Sequence, residues 1–195
     1  MNIIHSKLIV IASLLITGSA FAQKDSSGIY KTADDFQNRK PSYVISYKTE
    51  KHRIKDNLLF NNEEVKVKHD GTVYTLKKGE TFGYRDTKGK EFRFVDNKEY
   101  KILNPGEPIL MYVYQHPGHS PKEAEKYRPM YFFSTDAAAA SQALTKANLK
   151  AAFPDTHKFH DALDAQFKTD ADLASYDSFH KMYKLNHLLL MSSKQ

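Results

Sequence analysis

The chain has 195 residues, 29 Lys and Arg against 23 Asp and Glu for a formal net charge of +6, and no cysteine. The missing thiols exclude a disulfide framework, cysteine catalysis, Cys-type zinc sites and a cysteine-linked lipid anchor. A sequence pI of about 9.2 would suit a nucleic-acid partner, but acids and bases alternate along the chain without a basic block, so the expectation is a well-mixed, soluble surface and no nucleic-acid partner.

Residues 1–22 have the three-part layout of a cleavable secretory signal. Lys7 closes a short basic start, Leu8 to Ile16 is nearly all aliphatic, and Gly18-Ser-Ala-Phe-Ala22 ends in Ala-x-Ala before Gln23. The apolar run is shorter than the roughly 20 residues a transmembrane helix needs. The expected product is residues 23–195, exported to the periplasm or the exterior, with no stable membrane anchor after cleavage. Residues 23–28 read as a flexible start.

Thr32 to Lys40 predicts a short helix, with Thr32 as cap, Asp34 and Asp35 at its positive end and Pro41 behind it. Tyr43 to Tyr47 predicts the first strong strand. Glu64 to His69 alternates strictly, Asp70-Gly71 supplies a type I′ turn, and Thr72 to Leu76 returns. That turn pairs His69 with Thr72, Val67 with Tyr74 and Val65 with Leu76. The four apolar residues then share a face, opposite Lys66 and Lys68.

A second hairpin joins Thr81–Asp86 to Lys90–Val95. A loop of Thr87-Lys88-Gly89 with Gly89 left-handed pairs Asp86 with Lys90, Tyr84 with Phe92 and Phe82 with Phe94, avoiding a like-charge pair between Asp86 and Glu91. A three-residue loop, Asp96-Asn97-Lys98, would then align Phe94 with Tyr100 and Phe92 with Ile102. Ile109 to Tyr114 is apolar on both faces and reads as a central strand that needs cover on its second face. Arg128 to Phe133 reads as the last strand, and the pattern turns helical from Ser134, with Ala137 to Ala140 open as a helix start or a loose loop. Thr145–Ala152 and Asp155–Phe167 read as helices, the latter with Phe159, Leu163 and Phe167 in one stripe. Thr169 is expected to open the longest helix, running to about Met191.

These elements predict an α+β fold: a twisted, mainly antiparallel sheet of about seven to nine strands, followed by C-terminal helices packed on one face. The mature chain reads as a single domain, sheet-rich over 42–133 and helical over 134–192.

Histidine is the abundant catalytic-type residue. His157 and His160 lie three apart on a predicted helix with Asp164 one turn on, a spacing that puts side chains on adjacent rows. His157, His160 and Asp164 are therefore the candidate zinc ligands, although no His-Glu-x-x-His core accompanies them and a half-exposed helix face explains them as well. His180 and His187, seven apart on one predicted helix, would stand about 10 Å apart, too far for one ion. His116-Pro-Gly-His119 is best explained as turn chemistry. No Gly-x-Ser-x-Gly occurs, and Ser178-Phe-His-Lys181 lacks the companion motifs of Ser-x-x-Lys enzymes, so no catalytic residue is assigned. Paired carboxylates leave no local spacing to read. The sheet aromatics, among them Tyr84, Phe92, Phe94, Tyr112 and Tyr131, could line a ligand site or fill the core.

At Gly83–Phe94, Asn104-Pro-Gly-Glu107, Leu149–His160 and Tyr176–Tyr183 the chain resembles a group of uncharacterised exported proteins of Bacteroidetes-type Gram-negative bacteria. The resemblance spans most of the mature chain. It implies an envelope or extracellular setting and a sheet followed by helices, and carries no activity to transfer. The functional expectation is a non-enzymatic exported binding or envelope-associated protein with an unidentified ligand or envelope component as partner. A secreted hydrolase using dispersed His and Asp residues is the alternative. No cofactor is expected, unless zinc binds at His157 and His160.

Overall fold

The computed structural model describes residues 26–46, 53–56, 62–116 and 127–193. The signal segment and His119 lie outside them. The fold is α+β. An eight-stranded antiparallel sheet runs β11-β10-β9-β8-β7-β6-β1-β2, built from β1 (Ser26–Tyr30), β2 (Ser42–Ser46), β6 (Gly83–Arg85), β7 (Glu91–Val95), β8 (Lys98–Ile102), β9 (Leu110–Tyr114), β10 (Met130–Ser134) and β11 (Gln142–Ala143). A separate three-stranded sheet holds β3 (Arg53–Asp56), β4 (Glu64–His69) and β5 (Thr72–Lys77).

The N-terminal segment differs from expectation. Ser26 to Gly28 is not a flexible start but the first three of the five residues of β1, every one of which is buried. β1 lies between β2 and β6 and bonds to both. Its polar composition hides this, because both partners are distant in sequence. Thr32 follows as the cap of α1 (Ala33–Gln37): its Oγ1 accepts the Asp35 amide and the Asp35 carboxylate accepts the Thr32 amide, each at 3.0 Å.

The β4–β5 register is the one its turn and pattern demand, with Val65 facing Leu76 and Val67 facing Tyr74. Val65 and Val67 are fully buried while Lys66 and Lys68 are exposed. The β6–β7 register also follows expectation: Tyr84 pairs with Phe92, and Gly89 is left-handed at φ 75°.

The next turn does not follow expectation. Asp96 and Asn97 both take positive φ, 49° and 63°, and close β7 onto β8 in two residues as a type I′ turn. Phe94 therefore faces Glu99, and Arg93 faces Tyr100. Because side chains alternate, this single step puts Phe92 and Phe94 on one face of the sheet and Tyr100 and Ile102 on the other.

Central strand β9 shows why both faces are covered. Met111, with Ile109 and Phe133, packs under the C-terminal helices in a core that includes Leu149, Phe159, Leu163 and Leu185. The same face continues to Ile29, Tyr84 and Phe94, where the small sheet supplies Val65 and Val67. On the opposite face Leu110, Tyr112 and Tyr114 join Tyr30, Tyr100 and Ile102 beneath Phe36 of α1. Burying each such large side chain contributes about 1.5–3 kcal/mol.

The helical third is α2 (Lys146–Ala152), capped by Thr145, then α3 (His157–Gln166) and α4 (Lys184–Ser193). Phe159, Leu163 and Phe167 are buried in one stripe as expected. Residues 135–139 are bends, so of the two readings open for Ala137 to Ala140 the loose loop holds, with the Asp136 Oδ1 accepting the amides of Ala138 and Ala139 at 2.7 Å. One expectation fails here. The long helix from Thr169 is broken into a 3-10 turn (Asp170–Ala174), a hairpin of β12 (Tyr176–Asp177) and β13 (Met182–Tyr183), and α4. Asp177 explains the break. Its side chain accepts the amides of Phe179 and His180 at 2.9 and 3.1 Å, offering the backbone a turn in place of helix hydrogen bonds.

Candidate functional site

Glu91, Arg93 and Val95 share the sheet face opposite the C-terminal helices, and the first two meet different fates. Glu91 is almost fully buried and is met by the Arg39 Nη1 at 2.6 and 2.7 Å and by the Tyr30 hydroxyl at 2.9 Å. Burial, with the Glu91 charge beside it, pushes the Tyr30 phenol up to about 12. That charge is neutralised inside the fold.

Among the described residues Arg93 has no such counter-ion. Its Nη1 donates to the Tyr112 hydroxyl at 2.9 Å and reaches the Ser134 Oγ at 3.5 Å, and its Nη2 donates to the Ala139 carbonyl at 2.9 Å. All of these partners are neutral oxygens. The guanidinium carbon sits 5.3 Å from the Phe82 ring centre and 5.5 Å from that of Tyr112, so two aromatic faces hold it. Gly83 is its cross-strand neighbour.

Arg93 lines a cleft of about 810 Å³ between the start of α1, the Lys78–Glu80 turn and the alanine-rich bends after β10. Phe82 gives it apolar wall, and Lys31 brings a second cation to its rim. The Lys78 side chain is buried beneath the cleft floor, its Nζ donating to the Asn97 carbonyl at 3.0 Å. Two acids border the same cleft, Glu80 and Asp96, and Glu80 is paired with Lys77 at 3.2 Å. A cleft of this size accommodates a small molecule. A second, smaller cleft of about 360 Å³ lies beside Arg39 and Glu107, but there the arginine is already matched by Glu91.

The predicted zinc ligands stand elsewhere. The rings of His157 and His160 are 6.0 Å apart and perpendicular. His160 Nε2 is engaged with the Phe153 carbonyl at 2.8 Å. Asp164 faces Lys150 at 2.6 Å and Lys146 at 3.7 Å, and the Lys150 hydrogen bond holds its carboxyl below the usual range. Among the described residues these three do not converge as a ligand set. His180 and His187 do converge, because the predicted helix between them is a hairpin and a new helix: their rings stack at 3.9 Å. Asp177 Oδ2 lies 2.8 Å from His180 Nδ1. Sequence spacing failed on this pair because 10 Å along one helix says nothing about two elements that fold back. The Asp-x-x-His spacing of Asp177 and His180 was the available signal for a turn.

Among the described residues no histidine lines either cleft. Among the described residues no helix is long and apolar enough to cross a membrane. No family model, curated protein or solved structure matches this chain.

Proposed function

We propose that the protein is exported, to the periplasm or the exterior, and acts there as a non-enzymatic binding protein for a small anionic molecule. The observation that carries this reading is Arg93, a part-buried guanidinium that lines a cleft and has only neutral oxygens as partners. A charge withdrawn from water without a counter-ion is costly, and an anionic ligand relieves that cost. Arg93 would receive a carboxylate or phosphate through its planar donor edge, with Lys31 adding charge at the mouth. Phe82 and the alanine bends would take a short apolar body. The Ala-x-Ala layout before Gln23 and the resemblance to exported proteins support the compartment.

Expression in a Gram-negative host should yield a processed chain outside the cytoplasm whose first residue is Gln23. Titration calorimetry of that chain with benzoate, octanoate and inorganic phosphate should show saturable binding of at least one. Arg93→Gln keeps donors but removes the charge and should weaken that binding tenfold or more, about 1.4 kcal/mol. Lys31→Ala, at an exposed site, should weaken it less without touching the core. Absence of binding to all three anions, or equal affinity in Arg93→Gln, would overturn the ligand class.

A further inference from the structure

We propose that Asp177, His180 and His187 bind a divalent late first-row transition-metal ion, such as zinc, where the β12–β13 hairpin meets α4. One donor atom from each of the three lies within 4.8 Å of the other two. A tetrahedral zinc ion with ligand bonds of about 2.0–2.1 Å spaces its donors roughly 3.3 Å apart, so the set closes by about 1.5 Å at most. His180 can make that movement: its side chain is 41% exposed, while Asp177 and His187 are more enclosed. Two imidazoles and one carboxylate suit zinc, copper(II) or nickel(II) and not the oxygen-preferring calcium and magnesium. Three protein donors leave a fourth position for water or a ligand.

The hairpin is shaped in a way that hydrophobic packing does not explain. Phe179, at its tip, is 85% exposed, whereas the neighbouring His180 ring is laid flat on His187. Lys181 takes a left-handed backbone, φ 55°, to return the chain, a conformation that non-glycine residues adopt at a cost. Asp177 uses Oδ1 for the two turn amides, which leaves Oδ2 facing the histidines. Imidazole binds a metal ion through a ring nitrogen lone pair. No residue of this cluster lines the Arg93 cleft, so the metal site stands or falls independently of the anion reading.

The test is titration of the mature chain with zinc chloride, followed by calorimetry and by thermal melting. The expected result is one ion per chain, with a melting temperature raised by about 5 °C at saturating zinc and restored by a chelator. His187→Gln and His180→Ala should each abolish the rise while leaving the metal-free melting temperature near that of the parent. Asp177→Asn keeps a turn acceptor and should weaken binding tenfold or more. The double change His157→Ala and His160→Ala should leave binding intact. Should either His187→Gln or His180→Ala lower the metal-free melting temperature, the copper(II)-loaded parent supplies the readout, with two nitrogen donors expected in its electron paramagnetic resonance spectrum. No saturable zinc binding, binding that survives loss of both His180 and His187, binding lost in the His157/His160 variant, or a copper spectrum without two nitrogens would each overturn the site.

Discussion

Replacing Gly83 by alanine should strongly destabilise the fold. A Cβ built on Gly83 would stand 1.9 Å from the Phe92 carbonyl oxygen and 3.0 Å from the Arg93 Cα. Real Cβ atoms do not approach a backbone oxygen so closely, and that oxygen belongs to the paired strand β7 and not to a side chain that can swing aside. Relief requires β6 and β7 to part, in a sheet where β6 also carries β1. The expected cost is about 4 kcal/mol, the upper end of overpacking effects. Urea unfolding followed by circular dichroism measures it. A midpoint within experimental error of the parent would mean that the β6–β7 pairing is looser than described.

The second large effect is expected at Asn186. This residue of α4 is fully buried. Its Oδ1 accepts the Ile109 amide at 2.7 Å and its Nδ2 donates to the Ile109 carbonyl at 3.0 Å. One amide side chain thus satisfies both backbone groups of the residue that leads into central strand β9. Asn104 supports the same stretch, donating to the Ile109 carbonyl at 2.8 Å and accepting the Met111 amide at 2.7 Å. Asn186→Leu preserves volume but strands the Ile109 amide in an apolar core, at a cost of about 2–3 kcal/mol. The carbonyl keeps Asn104, so the loss should fall on one group and not two. Equilibrium unfolding of the variant checks the magnitude, and native-state hydrogen exchange should show the Ile109 amide losing protection first. An unchanged exchange rate at Ile109 would remove Asn186 as the tie between α4 and the sheet.

How much of this was legible depended on how far apart the interacting residues lie. The β4–β5 hairpin could be read to the residue because Asp70-Gly71 and the Val65, Val67, Tyr74, Leu76 pattern are neighbours and agree. The same holds for the Thr32 cap and the Phe159, Leu163, Phe167 stripe. The β7–β8 turn shows the limit of local reading. Asp96 and Asn97 both tolerate left-handed backbone, and nothing nearby chose between a two-residue and a three-residue loop. The choice decided which face Tyr100 occupies, and with it the aromatic surroundings of Arg93.

Composition and local pattern determined the α+β class, the two-faced character of the strand ending at Tyr114, the absence of thiol chemistry, and the secretory layout of residues 1–22 as an expectation for the compartment. These follow from the covalent chain and from contacts a few residues long. The tertiary structure alone decided that β1 is an interior strand, that Glu91 is neutralised while Arg93 is not, and that His180 lies on His187. Each of these depends on which distant strand or helix lies alongside: Arg39 is 52 residues from Glu91, and Ala139 is 46 from Arg93. Charges acquire or lack partners only after the chain has closed on itself, so a candidate site made of such charges cannot be read before the fold exists.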